Sequence, residues 1–499
     1  MKYILSIDQG TTGSRAVLYD RKGRIKLSAY QEFPQYFPHP GWVEHKPNDI
    51  WKSVNNSIQK VLHKVPKNKI AAIGITNQRE TTVLWDKRTG KPVYNAIVWQ
   101  CRRTSPRCDN LRKSKKEIKF FKDATGLPID AYFSATKIEW ILKNVPGALA
   151  RAKRGELLFG TTDTWILWKL TRGAVHATDY TNAARTMLFN INNLKWDKKI
   201  LKIFNIPKQI LPIVKKSSGI FGKTVKIGSL PAGIPIAGIA GDQQAALFGQ
   251  TCFKQGSIKN TYGTGAFILL NTGKKKLVSK HGLINTLGCG KTGEPCHVTE
   301  GAIFVAGSAI QWLRDELKLL ITASESEKMV KPLTDNAGVY FVPALVGLGV
   351  PYWDPHARGS IFGITRGTKA RHFVRAALEA MAYQTKDVLI AMKKDSRVSI
   401  KDLKVDGGAS SNNFLCQFQA DILGINIIRP KIIETTSLGA AYLAGLATGY
   451  WKSTDEIKRY WKIDRIFKPQ MSKKCAEELY KGWLEAVRRT LTTYTTKLK

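Results

Sequence analysis

Two strand–turn–strand segments, one at the N-terminus and one midway along the chain, carry the same Gly/Thr-rich turn. The first runs from a strand at Tyr3 to Ile7 through Asp8-Gln9-Gly10-Thr11-Thr12-Gly13 into a strand at Arg15 to Tyr19. The second runs from Ser257 to Thr261 through Tyr262-Gly263-Thr264-Gly265 into Ala266 to Leu270. Each turn alone reads equally well as an ordinary hairpin. The pair reads as a weak internal repeat and predicts two domains of similar build. A length of 499 residues suits two cores of roughly 250 residues each. The expected division is therefore residues 1–250 and 251–499.

The elements around the first turn predict an α/β fold. A third strand, Ile25 to Tyr30, is followed by Ile50, Trp51, Val54, Ile58, Val61 and Leu62 at helical spacing, with Pro47 ahead of them. Ile70 to Thr76 is short and apolar, as a buried strand is. Strands and helices in this order predict a mixed sheet flanked by helices. In the second half, a helix is expected over roughly Phe373 to Met392, and another carries Phe414, Leu415, Phe418 and Ile422 on one face.

Glycines let a backbone approach an anion, and the N–H groups of a tight turn form a donor nest. Thr11, Thr12 and Thr264 add hydroxyls, and Arg15 adds positive charge. Asp8 closes the first strand, where one carboxylate can hold Mg²⁺ through waters. Two such turns suggest a clamp on phosphates. Gly290-Lys291-Thr292 imitates the end of a Walker loop, but Asn285 stands where its leading glycine belongs. No GxGxxG follows a strand and opens a helix. Asp242, in Gly241-Asp242-Gln243, follows the apolar run Ile234 to Ala237. At that position it can accept a hydroxyl proton in a cleft, or cap the helix that begins at Gln243.

The net charge of +41, from 79 Lys and Arg against 38 Asp and Glu, raises nucleic acid as a partner. The lysines are scattered, and runs such as Lys274-Lys275-Lys276 are short, which reads as a solvated surface without specific nucleic-acid binding. Seven cysteines with no CxxC pair argue against a disulfide framework. Cys289, Cys296 and His297 lack a fourth ligand at metal-binding spacing. The early acid Asp8 and the lack of a long apolar run predict a cytoplasmic protein without integral membrane association.

Seven segments carry a family resemblance: Asp8-Gln9-Gly10-Thr11-Thr12, Asn77-Gln78-Arg79-Glu80-Thr81-Thr82, Trp99-Gln100-Cys101-Arg102-Arg103, Gly241-Asp242-Gln243-Gln244, Tyr262-Gly263-Thr264-Gly265, Gly349-Val350-Pro351-Tyr352-Trp353-Asp354-Pro355 and Val405-Asp406-Gly407-Gly408-Ala409. Two longer signatures run from Tyr132-Phe133-Ser134 through Lys137 to Asn144, and from Gly359 through Gly363 and His372 to Glu379. In this order they resemble the FGGY carbohydrate kinases, and among those the members that phosphorylate glycerol.

The resemblance implies two ribonuclease-H-like domains of the actin and sugar-kinase type flanking a cleft. It implies ATP as phosphoryl donor, Mg²⁺ at Asp8, and glycerol as acceptor in glycerol catabolism. Thr11, Thr12, Gly13 and Arg15 would meet the ATP phosphates; Thr264, Gly307, Gln311, Gly408 and Asn412 would complete the nucleotide site. Arg79, Glu80, Tyr132, Asp242 and Gln243 would hold glycerol, Trp99 and Phe267 would pack on its carbons, and Asp242 would be the catalytic base. A homodimer or homotetramer is the implied assembly. Two other readings stand beside this one: a kinase of another small polyol or sugar, and a basic polyanion-binding protein that keeps a kinase fold.

Three departures from the family pattern follow. Lys226 to Gly233 lacks the Arg of a loop that binds fructose bisphosphate in many bacterial relatives. Cys475 stands where some relatives use a Glu to bind a phosphotransferase protein. Gly13 stands where some relatives have Ser, so the turn loses a hydroxyl donor.

Overall fold

A computed structural model describes residues 2–492. The chain forms two compact units, one of residues 1–253, 285–298 and 435–461, the other of residues 254–284, 299–434 and 462–499. The division therefore does not follow a single cut near residue 250, because two later segments return to the first unit.

The first unit is built on a six-stranded sheet. Its strands are β1 (Tyr3–Gln9), β2 (Gly13–Tyr19), β3 (Ile25–Glu32), β4 (Ile70–Asn77), β5 (Ser218–Lys223) and β6 (Pro235–Gly241), in the order β5-β6-β4-β1-β2-β3. β1 pairs antiparallel with β2 and parallel with β4, and β4 pairs parallel with β6. The helix Pro47–Leu62 starts on Pro47, whose missing N–H costs nothing in a first turn. It buries Ile50, Val54, Ile58, Val61 and Leu62 of the helical stripe read from the sequence, and Trp51 is partly buried against the same core. These residues join Leu5, Ile7, Ala16, Leu18, Ile73, Ile75 and Ile239 in one core.

The helix Thr435–Ala447 closes the unit. Its sequence is almost wholly small and apolar, which lets its backbone approach the sheet closely. Gly74 in β4 and Gly238 in β6 meet it, and a Cβ at either position would collide with the backbone of Ala440 or Ala444. Tyr19 and Ser437 hydroxyls share a 2.6 Å hydrogen bond, and Ser6 Oγ donates to Ser437 O at 2.7 Å. Contacts of this kind, not sequence proximity, carry residues 435–461 back to the first unit.

The second unit repeats the plan. Its sheet includes β7 (Ile258–Tyr262), β8 (Ala266–Gly273), β9 (Asp402–Asp406), β10 (Asn426–Pro430) and β11 (Ile463–Phe467), in the order β8-β7-β9-β10-β11. β7 pairs antiparallel with β8 and parallel with β9; β9 pairs parallel with β10, and β10 antiparallel with β11. The first unit shows the same succession in β2-β1-β4-β6-β5. The weak repeat in sequence is thus a repeat of topology. The helix Ala370–Ser396 buries Val374, Leu378, Met381, Val388 and Met392 on this sheet's core. Among the described residues no helix is long and apolar enough to cross a membrane.

Candidate active site

Strand register places the first group of candidate residues. Gln9 of β1 lies beside Asn77 of β4, and Asn77 lies beside Gly241 of β6. The three parallel strands therefore end level, and the residues that follow them emerge at one edge: the Gly10–Gly13 turn, Gln78-Arg79-Glu80, and Asp242. Ligands of α/β sheets bind outside such carboxyl ends.

Four charged side chains meet there. Arg79 Nε lies 3.1 Å from Asp242 Oδ1 and 3.8 Å from Glu80 Oε1. Arg185 Nε donates to the same Glu80 oxygen at 2.5 Å. The side chains of Arg79, Glu80 and Arg185 are at most 2 % exposed, whereas Asp242 keeps 30 %. Of these four groups, Asp242 is the most exposed. Glu80 has φ 62°, a left-handed conformation that a non-glycine residue adopts at a cost and that clusters at functional sites. Ser134 Oγ holds that backbone by donating to Glu80 O at 2.9 Å.

Asp242 is the first residue of the helix Asp242–Gly249, and Gly241 occupies the cap position. The helix-capping alternative for Asp242 is thereby corrected. Its Oδ1 accepts the Gln243 N–H at 2.7 Å, so the helix start orients the carboxylate instead of consuming it as the cap. Gln243 itself is buried.

Two aromatic rings wall this group. Trp99 and Tyr132 meet edge to face at 5.6 Å, and Trp99 Nε1 donates to Thr11 Oγ1 at 3.0 Å. Beneath Tyr132, the buried Lys137 donates to Tyr132 O at 2.5 Å. Desolvation pulls its ammonium down to about 8. In the turn, Gly10 N–H donates to Gly13 O at 2.9 Å, and Asp8 sits opposite Arg15 in the β1–β2 ladder.

The second group lies in the second unit. Thr264, Gly307, Gln311, Gly408 and Asn412 line one cavity of about 530 Å³, a volume typical of small-molecule sites. Gly307 N–H donates to Gly263 O at 3.1 Å and Ser308 N–H to Thr264 O at 3.1 Å, which ties the helix Gly307–Asp315 to the turn after β7. Gly407 has φ 81° and packs so closely on Tyr262 that a Cβ would strike its carbonyl. Asn412 caps the helix Asn413–Leu423 through the Leu415 N–H. Ile310, Leu378 and Met381 add an apolar wall. Phe267 belongs to this unit, on β8.

Arg185 escaped the sequence reading. The signal available was a lone Arg between Ala183-Ala184 and Met187-Leu188-Phe189, since charge inside an apolar run asks for a buried partner. All seven cysteines are free thiols. Cys475 lies exposed in the first turn of the helix Lys473–Thr490.

A doubled sheet with a Gly/Thr turn in each half, one beside an Arg/Glu/Asp cluster and one beside a cavity, defines a carbohydrate-kinase class of fold. Residues 3–249 match the N-terminal domain and residues 258–448 the C-terminal domain of the FGGY family of carbohydrate kinases. The chain belongs to that family. It is 57% identical over 492 residues to a glycerol kinase of Fusobacterium nucleatum, covering 98% of this chain and 99% of that protein. It is 58% identical over 492 residues to a glycerol kinase of Caldanaerobacter subterraneus, with coverage of 98% and 99%. Among solved structures, Plasmodium falciparum glycerol kinase with ADP superposes with a TM-score of 0.90 at 39% identity, covering 98% of each chain. Gluconate kinase from Lactobacillus acidophilus shares the fold at TM-score 0.86 and 22% identity, covering 100% of each chain.

Proposed function

We propose that this protein transfers the γ-phosphoryl group of ATP to a terminal hydroxyl of glycerol, giving sn-glycerol 3-phosphate and ADP. The observation that carries the reading is the accessible Asp242 carboxylate, held 3.1 Å from Arg79 at the sheet edge that also bears the Gly10–Gly13 turn. Identity to glycerol kinases along the whole chain supports the choice of substrate. It weighs against another polyol or sugar and against a polyanion-binding protein without activity.

Glycerol offers three hydroxyls and a short apolar spine. Arg79 donates to its hydroxyls, Glu80 accepts from them, and Tyr132 and Gln243 complete the pairing. Trp99 packs on the carbons, and Phe267 is the further ring assigned to that role. A pocket that pairs each hydroxyl rejects analogues that leave its groups unpaired. Asp242 takes the proton of the hydroxyl as its oxygen bonds to the γ-phosphorus and the bond to the β-phosphate oxygen breaks. Thr11, Thr12, Gly13 and Arg15 hold the transferring phosphates, and Thr264, Gly307, Gln311, Gly408 and Asn412 hold the rest of the nucleotide.

Asp8, half-buried at the end of β1 beside the turn, suits Mg²⁺, which takes one or two carboxylates, phosphate oxygens and several waters. When bound, the metal supplies charge neutralisation at the phosphates. The unit of residues 1–253, 285–298 and 435–461 would thus serve as the polyol and phosphate-turn domain and the other unit as the nucleotide domain, in a homodimer or homotetramer. The test is ADP release by purified protein with Mg-ATP, with and without glycerol. Glycerol-dependent release with stoichiometric sn-glycerol 3-phosphate is expected, and release indifferent to glycerol would end the proposal.

A further inference from the structure

The turn at residues 10–13 lacks a side chain at Gly13, and a residue from the neighbouring strand fills the space. In the β2–β3 ladder Gly13 pairs with Glu32 and Arg15 with Tyr30. Tyr30 is therefore the diagonal neighbour of Gly13 on the same face of the sheet, within reach of a long aromatic side chain. A Cβ built on Gly13 would lie 2.5 Å from both Cζ and Oη of Tyr30. The phenol thus occupies the volume that a side chain at position 13 would need. Its hydroxyl lies 3.2 Å from Thr12 Oγ1, and the Arg15 guanidinium sits over its ring at 5.6 Å. Tyr30 is 43 % exposed, so the ring is in reach of a ligand.

We propose that Tyr30 is a further phosphate-binding residue, its hydroxyl donating to the ATP phosphates in place of the hydroxyl that Gly13 does not supply. Glycine at 13 and tyrosine at 30 then form one solution: the small residue makes room, and the ring brings a donor to the same spot from β3. Thr12 Oγ1 then donates to the phenol oxygen across the 3.2 Å contact, and the phosphate takes the phenol's single proton. Arg15 holds the ring by cation–π attraction while facing the same anion. This rests on the reading of the 10–13 turn as the phosphate clamp.

Steady-state kinetics on Tyr30→Phe, Thr12→Ala, Tyr30→Ala, Gly13→Ser and the Gly13→Ser/Tyr30→Ala double variant test it. A hydrogen bond to a charged group is worth about a tenfold change or more. Tyr30→Phe should lower kcat/KM for ATP by about that factor, with KM for glycerol and the melting temperature nearly unchanged. Gly13→Ser alone should lose activity, because its side chain meets the ring. The double variant should recover most of what Tyr30→Ala loses, since a serine hydroxyl regains the space. If Thr12→Ala lowers kcat/KM for ATP but Tyr30→Phe does not, the role of Tyr30 is overturned and the clamp stands. If neither changes it, the clamp reading itself fails. A double variant no better than Tyr30→Ala also overturns the proposal.

Discussion

Trp99 Nε1 donates to Thr11 Oγ1 across 3.0 Å, joining an aromatic wall of the Arg79–Asp242 group to the Gly/Thr turn. The bond links two segments that the sequence keeps far apart. Trp99→Phe keeps an apolar wall and removes the donor. A neutral hydrogen bond contributes about 1 kcal/mol net, so kcat/KM should fall several-fold. In a double-mutant cycle with Thr11→Ala, a coupling of roughly 1 kcal/mol is expected. Additive losses would show that the two residues act independently.

Arg185 is the buried partner of Glu80, with Nε 2.5 Å from its carboxylate and both side chains at most 1 % exposed. Its guanidinium also lies over the rings of Tyr132 and Phe133, at 5.3 Å from each. Removing one partner of a buried ion pair costs about 3–5 kcal/mol because the other charge stays buried. Arg185→Met should therefore displace Glu80 and raise KM for glycerol by tenfold or more, with KM for ATP much less affected. Equal changes in both constants would assign Arg185 to general stability and not to the polyol pocket.

Much of this was readable in the chain, and the unread parts share a cause. β1, β2, β4, β7 and β8 announce themselves through short apolar runs punctuated by glycine and threonine, because local turn chemistry decides them. The stripe from Ile50 to Leu62 does the same for its helix. The return of Thr435–Ala447 to the first unit was not readable. It depends on Gly74 and Gly238 leaving room for a helix far away in sequence, which no local pattern reports. Arg185 and Tyr30 were missed for the same reason. Their partners, Glu80 and Gly13, reach them through strand pairing and packing, while their own neighbours in sequence look like ordinary helix-end and strand residues.

Behind the strand ends lies a buried polar network. Asp163 accepts from Thr178 Oγ1 at 2.7 Å and from Thr161 Oγ1, with Asn77 Nδ2 at 3.5 Å. Asp179 is held there too, accepting from Ser217 Oγ and Thr181 Oγ1 at 2.7 Å each. Desolvation raises the Asp163 carboxyl from 3.8 to about 6. With the folded value above the unfolded one, the native state binds the extra proton between those values. Stability from this group is full below pH 3.8 and is lost as pH rises through 6. The loss approaches about 3 kcal/mol by pH 7. Asp163→Asn removes the titration, so its melting temperature should gain on that of the wild type as pH rises from 4 to 7. Parallel melting curves across that range would show that Asp163 does not titrate there.

Asp242 stands where proton transfer would occur, and its surroundings separate catalysis from architecture. Gly241, not Asp242, holds the cap position of the helix, and an asparagine could still accept the Gln243 N–H that Asp242 Oδ1 now accepts at 2.7 Å. Asp242→Asn should therefore melt close to the wild type. It keeps a hydrogen-bonding group for the substrate hydroxyl but weakens the charged contact with Arg79, so glycerol affinity should fall only modestly. What it loses outright is the proton acceptor. A positioned general base contributes typically ~10²–10⁴-fold, and kcat should fall by about that factor. ATP binding should persist, because the cavity lined by Thr264, Gly408 and Asn412 belongs to the other unit. Turnover, glycerol binding and melting measured on one preparation distinguish the outcomes. Near-normal turnover would remove Asp242 from the chemistry, while a matching loss of turnover and stability would make its role structural.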